Sequence, residues 1–242
     1  YFVQIIYHGS NFKGWQKQPG QPTVQGAIEK GLSTLLGKPT TVIGCGRTDT
    51  GVHATHYFFH FDSDQELDKY KFTFKLNALV GYDISILDLI EVNDTAHARF
   101  NATKRSYTYY MHQSKNPFLK DRSFHYPMMD RLDKNALQAT AILIANYQNF
   151  FPFCKANTQV NTMECQIFRS EWIFRSNAQW EYKVSANRFL RGMVRLIVGT
   201  CINVASNKLE LTTVEQALER QTRFEPAWSV PPEGLFLDEV RY

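Results

Sequence analysis

The chain has 242 residues, 43% of them hydrophobic and 14% aromatic, with 21% charged and a formal net charge of +4. That apolar content can bury a core without disulfide or metal staples, and no run approaches the roughly 18 uninterrupted apolar residues of a membrane span. The mild basicity is compatible with a polyanionic partner but is shared by many proteins that have none.

Tyr1 to Tyr7 reads as a strand already inside the fold, since it lacks the basic region and cleavage site of a signal peptide. No initiator Met is present, so residues ahead of Tyr1 are expected. Val24, Ile28, Leu32, Leu35 and Leu36 follow helical spacing, with Thr23 as N-cap and Gly37 as stop. Thr41 to Gly44 and Tyr57 to Phe61 read as strands, Leu67 to Leu79 as a helix, and Ile84 to Val92 as a strand. The order is therefore β-α-β-β-α-β.

The second half repeats it. A strand from Thr103 to His112 puts Arg105, Tyr107 and Tyr109 on one face. A helix near Leu132 to Ile144 follows, then strands at Met163 to Phe174 and Trp180 to Ser185. A helix from Phe189 to Val204, a shorter one from Val214 to Arg220 and a strand from Leu235 to Arg241 complete the chain. Two split βαβ units predict an α+β fold of two ferredoxin-like (RRM-like) domains, residues 1–98 and 99–242, whose sheets meet around a central basic cleft. Cys45, Cys154, Cys165 and Cys201 are scattered without a C-x-x-C pair, which reads as reduced, mostly buried thiols in a cytoplasmic protein.

Gly44-Cys45-Gly46-Arg47-Thr48-Asp49-Thr50-Gly51 follows a β-branched strand, and its three glycines permit tight turns and close approach to a ligand. Alone, an Asp beside Gly is more often a turn residue capping its own backbone. The G-x-G start fails as a dinucleotide fingerprint, because Asp49 occupies the place of the third glycine. Asp49-Thr50-Gly51 matches the aspartic-protease tripeptide, yet that chemistry needs two carboxylates sharing a proton: a second copy, which the sequence lacks, or a symmetric dimer pairing two Asp49 residues, a dyad that Arg47 would disturb.

Longer context points elsewhere. Tyr7-His8-Gly9-Ser10-Asn11-Phe12-Lys13-Gly14-Trp15-Gln16-Lys17-Gln18 ends the first strand, and Thr23-Val24-Gln25-Gly26 opens the first helix. Gly46-Arg47-Thr48-Asp49-Thr50-Gly51-Val52-His53-Ala54 and His97-Ala98-Arg99-Phe100-Asn101-Ala102-Thr103-Lys104-Arg105-Ser106-Tyr107 come next. Phe189-Leu190-Arg191-Gly192-Met193-Val194-Arg195 and Pro231-Pro232-Glu233-Gly234-Leu235 complete the set. In this order, and over nearly the whole chain, these motifs resemble the tRNA pseudouridine synthase A family.

The resemblance implies the pseudouridine synthase fold, a homodimer acting on tRNA in the cytoplasm, and isomerisation of uridines 38, 39 and 40 in the anticodon stem-loop. That reaction involves neither redox change nor hydrolysis, so no cofactor or metal is implied. Asp49 becomes the catalytic carboxylate, acting covalently on sugar or base or on a ribose proton. Arg195 becomes its counter-ion, where composition alone would read an exposed helix arginine. Tyr107 stacks on the target base, Leu235 closes the pocket's other side, and Arg47 sits at the rim to replace the flipped nucleotide or bind phosphate. Arg188, Arg191 and Arg195, spaced three and four apart, predict a basic stripe on one helix face, with Phe189 on its apolar face. Lys13, Lys17, Lys104 and Arg105 are further candidate contacts to the RNA backbone.

Two rivals stand beside this reading: a non-catalytic RNA-binding module, and an aspartic hydrolase built on Asp49-Thr50-Gly51. His53, His56 and His60 invite a zinc site, but on a strand 53 and 60 face opposite ways and no fourth ligand is evident, so structural histidines are expected. Thr50, where many relatives carry Ala, and the bulky His56-Tyr57-Phe58-Phe59 depart from the family pattern without removing a catalytic group.

Overall fold

A computed structural model of the chain describes residues 1–154, 162–175 and 178–242. It divides into two compact units, one of residues 1–103 with 236–242 and the other of residues 104–235.

The first unit contains β1 (Phe2–Tyr7), α1 (Val24–Leu36), β2 (Ile43–Gly44), β3 (His53–His60), α2 (Lys69–Val80) and β4 (Ile84–Ile90). β1 pairs antiparallel with both β3 and β4, and β2 adds to β3. Alternation along β1 buries Val3, Ile5 and Tyr7. They meet a core that includes Tyr57, Phe59, Ile28, Leu32 and Leu76. Thr23 caps α1 by accepting the Gly26 N–H, and Gly37 ends it, as the sequence predicts. Gly31 of α1 lies directly against Leu76 and Val80 of α2. β2 is only two residues long, because Thr41 and Val42 stand outside the ladder and the Val42 N–H is taken by the Glu29 carboxylate instead.

β3 begins four residues earlier than its hydrophobic run suggests. The polar residues His53, Thr55 and His56 are held there by β9 (Leu235–Arg241), which pairs in parallel with β3 through His53↔Phe236 and Ala54↔Leu237. From its second residue onward β9 belongs to the first unit. The three histidines act as acceptors for backbone from other segments. His53 Nδ1 accepts from the Gly9 N–H at 3.0 Å, His56 Nδ1 from Val240 at 3.0 Å, and His60 Nδ1 from Ala98 at 3.0 Å. Among the described residues no group of three His, Cys, Asp or Glu side chains could hold a metal ion.

A ring nitrogen that accepts a hydrogen bond is unprotonated, and burial pulls the pKa of both His56 and His60 down. Glu239 opposes the shift at His56, while His97 reinforces it and Asp62 opposes it at His60. A lowered folded-state pKa means the unfolded chain binds more protons. The stability contributed is therefore complete above the unfolded value near 6.5 and is lost as pH falls through the lowered folded value. We expect the melting temperature to drop between pH 7 and pH 5, and the drop to shrink in His56→Gln/His60→Gln. Equal slopes in a calorimetric pH series would contradict this.

The second unit contains β5 (Lys104–His112), β6 (Phe124–His125), α3 (Lys134–Ala145), β7 (Ile167–Phe174), β8 (Gln179–Ala186), α4 (Met193–Ala205) and α5 (Leu211–Arg220). β8 lies between β5 and β7, antiparallel to both, and β6 runs parallel to β5. Tyr109, Met111, Tyr182, Ile144, Phe153 and Ile197 are fully buried. The predicted strand from Met163 begins in the structure at Ile167; residues 155–161 lie outside the description.

One expectation is overturned here. α4 starts at Met193, not Phe189, because Gly192 sits at φ 72, a left-handed conformation that cannot lie within a right-handed helix. Arg188 and Arg191 therefore precede the helix, and the three-arginine stripe does not form; only Arg195 is helical. All four cysteines are buried and unbridged. Burial pushes the Cys165 thiol up to about 11 and that of Cys201 to about 12. Among the described residues no helix is long and apolar enough to cross a membrane.

Candidate active site

Asp49 lies in the loop joining β2 to β3, and the turn after it closes with the Val52 N–H donating to the Asp49 carbonyl at 3.2 Å. The loop is clasped by the chain leaving β1. The Trp15 N–H donates to the Thr48 carbonyl at 3.1 Å, and the Gly51 N–H to the Phe12 carbonyl at 3.3 Å. The Tyr7 hydroxyl and Thr48 Oγ1 meet at 2.8 Å in a buried hydrogen bond. The Tyr57 hydroxyl donates to the Gly46 carbonyl, and the Cys45 N–H to Phe58. The backbone on both sides of Asp49 is thus pinned, while its carboxylate is half-buried and Arg47 is exposed. Such a fixed turn holds a reactive group in one geometry.

The glycines serve this clasp. Gly14 has φ 92, and a Cβ there would lie 2.6 Å from the Thr48 carbonyl oxygen and 3.2 Å from the Asp49 carbonyl carbon. A Cβ on Gly44 would strike the Tyr57 hydroxyl at 2.1 Å and the Trp15 ring at 2.5 Å. Gly44 is therefore small for internal packing, whereas the sequence suggested approach to a ligand.

In the second unit Tyr107 stands on β5, half-buried, and its ring meets that of Phe189 edge-on at 5.2 Å and 89°. Phe189, assigned from spacing to a helix face, instead braces Tyr107 from the segment before α4. Tyr109 is wholly buried, as expected of a core aromatic, and its hydroxyl donates to the Pro231 carbonyl at 2.8 Å. Gly234 packs so closely on Tyr110 and Tyr109 that an added Cβ would come within 2.7 Å of the Tyr110 carbonyl oxygen. That contact sets buried Leu235 beside β5. Arg195 is half-buried on the first turn of α4, where its Nε donates to the Val230 carbonyl at 2.7 Å.

The remaining cations divide. Lys17 forms a 2.8 Å ion pair with the nearly buried Glu29, and the Arg105 guanidinium is buried and donates to the Asn187 carbonyl at 2.9 Å. Lys13 and Arg191 are exposed, whereas Lys104 and Arg188 are half-buried.

A family model described as tRNA pseudouridine synthase matches residues 147–242. A tRNA pseudouridine synthase A of Bacteroides fragilis is 40% identical over 100% of this chain and 96% of its own length. One from Azobacteroides pseudotrichonymphae is 39% identical over 100% and 96%, and one from Bacillus pumilus 35% over 98% and 97%. Among solved structures, a chain of a Cbf5-Nop10-Gar1 complex superposes with TM-score 0.33 at 10% identity over 83% of this chain and 54% of that one, too slight a likeness to carry an argument.

Proposed function

The chain belongs to the tRNA pseudouridine synthase A family, and from that premise we propose that it isomerises uridine to pseudouridine in tRNA, at positions 38, 39 and 40 of the anticodon stem-loop. The observation that carries this reading is similarity to such enzymes over the whole chain, Asp49 loop included. The rivals draw no comparable support: a binding module gains nothing from a carboxylate fixed by its backbone, and a protease needs two carboxylates sharing a proton, a dyad that Arg47 would disturb even between two copies.

The reaction breaks the bond from uracil N1 to ribose C1′, turns the base, and joins C5 to C1′. The proton lost from C5 is balanced by one gained at N1, so the product is an isomer. Asp49 is the catalytic residue, ionised when it attacks sugar or base or takes a ribose proton. Arg195 is the cation that favours the ionised form. Tyr107, braced by Phe189, stacks on the flipped base, Leu235 lines the pocket, and Arg47 fills the vacated place in the stem or binds phosphate. Lys13, Lys17, Lys104, Arg105, Arg188 and Arg191 are assigned to the RNA backbone.

Further parts of this reading are a cytoplasmic homodimer and ferredoxin-like folding of residues 1–98 and 99–242. The β-α-β-β-α-β succession and the strand order β4-β1-β3-β2 support that layout in the first unit. The test is to incubate the protein with an unmodified tRNA transcript and map pseudouridine by carbodiimide primer extension. Stops at the three anticodon-arm positions are expected; modification of ribosomal RNA alone would overturn the substrate assignment. Tyr107→Ala should lower kcat/KM about 10- to 100-fold, the equivalent of one lost stacking contact of about 1–3 kcal/mol, while Tyr107→Phe stays near wild type.

A further inference from the structure

β5 ends in a loop, residues 113–123, that closes on itself. β6 returns beside β5 with Met111↔Phe124 and His112↔His125 in register, and His112 Nδ1 meets Ser123 Oγ at 2.9 Å. Inside the loop Asn116 caps a short 3-10 turn (Pro117–Leu119) by accepting the Phe118 N–H at 2.9 Å. The Arg122 guanidinium donates to the Phe118 carbonyl. A self-packed loop of this length is an ordered platform, and loops of this kind frequently carry function.

What the platform presents is unusual. Phe118 is 80% exposed, although its backbone is held from both sides. Lys115 and Lys120 are exposed and have no acidic partner among the described residues, and Asp121 is the loop's one acid. Behind the loop is a hollow of about 370 Å³, lined among others by His112, Ser114, Lys115, Phe118 and Gln179. Cations flanking an exposed ring suit one ligand chemistry well: a base stacked on the ring with phosphates on the lysines. An apolar protein partner would gain little from the uncompensated lysines.

The loop also lies on the strand that carries Tyr107. From Tyr107 to His112 is five residues, about 17 Å along β5, the reach of several nucleotides of RNA. We propose that the 113–123 loop is a second RNA-binding site, in which Phe118 stacks an unpaired base and Lys115 and Lys120 hold its flanking phosphates. This rests on the reading of the protein as a tRNA-modifying enzyme, with the loop gripping nucleotides remote from the reacting uridine.

The test measures tRNA binding and turnover separately. Binding of an unmodified tRNA transcript is followed by fluorescence anisotropy over a salt series for wild type, Phe118→Ala, Phe118→Tyr and Lys115→Gln/Lys120→Gln. Phe118→Ala should weaken binding about tenfold and Phe118→Tyr should restore it. Lys115→Gln/Lys120→Gln should weaken binding and flatten the log–log salt slope by about one to two, the share of two phosphates. In pseudouridine assays these variants should raise KM and leave kcat within about twofold. Unchanged affinity and salt slope in both variants overturn the loop site, whatever the turnover. Absence of turnover by wild type overturns the enzymatic reading, and a loss of affinity in the variants still supports the loop.

Discussion

Asp49→Asn should lower pseudouridine formation by at least about 10³-fold while leaving tRNA affinity within about twofold of wild type. The substitution is close to isosteric and removes the charge. The loop around Asp49 is held by backbone bonds, Val52 N–H to the Asp49 carbonyl, Trp15 N–H to Thr48 and Gly51 N–H to Phe12, and by the Tyr7 hydroxyl on Thr48 Oγ1. None of these bonds runs through the Asp49 carboxylate, so the clasp itself is retained in the variant. A nucleophile or base cannot be replaced by a neutral amide, whichever atom it attacks. Primer-extension mapping with binding measured in parallel separates the possibilities. More than about a tenth of wild-type activity in the variant would falsify the assignment, and tRNA affinity lost along with activity would point to a binding role instead.

Gly14→Ala should be severely damaging, because the methyl it adds points at the Asp49 loop itself. It forces a left-handed φ of 92 on a residue with a Cβ and drives that Cβ to 2.6 Å from the Thr48 carbonyl oxygen. Backbone strain and overpacking each cost about 1–3 kcal/mol, so a loss of about 2–4 kcal/mol is expected. At this chain length that corresponds to a melting temperature lower by roughly 5–15 °C. The atoms pushed belong to Thr48 and Asp49, so kcat should fall by at least about tenfold even well below the melting point. Gly20→Ala is the control: its φ of 67 carries similar strain, but nothing lies within 4 Å of an added Cβ. If the two variants melt together and turn over alike, the clasp does not position Asp49.

Elements whose signals are local were legible in the sequence. α1 was read to the residue, because a threonine cap, five apolar positions at helical spacing and a terminal glycine agree. β9 was equally clear. Signals that depend on partners misled. The start of β3 was set late because His53 and His56 are polar; pairing with β9 makes this segment strand, and the Gly9 and Val240 N–H groups satisfy the two rings. The start of α4 was set too early because Arg188, Phe189 and Arg191 fit a helical period that a left-handed Gly192 interrupts. At the candidate site, Asp49 and Tyr107 were given roles from motifs, whereas Tyr7, Trp15 and Phe189 stood in those motifs without a role. Tyr7, Trp15 and Phe189 act through tertiary contacts with residues tens of positions away, and no local pattern announces such pairs.

The placement of residues 236–242 in the first unit also bears on how the protein is made. β3 receives its parallel neighbour only after the entire second unit has left the ribosome, on the order of ten seconds later at typical elongation rates. Until then the His56 ring lacks the Val240 N–H that it accepts, and the edge of β3 that emerges directly from the Asp49 loop has no strand beside His53 and Ala54. The first unit cannot finish folding in the order in which it is synthesised. A nascent chain truncated before Phe236 lacks the strand that pairs with β3, so the unit that bears Asp49 is complete only once β9 has been made.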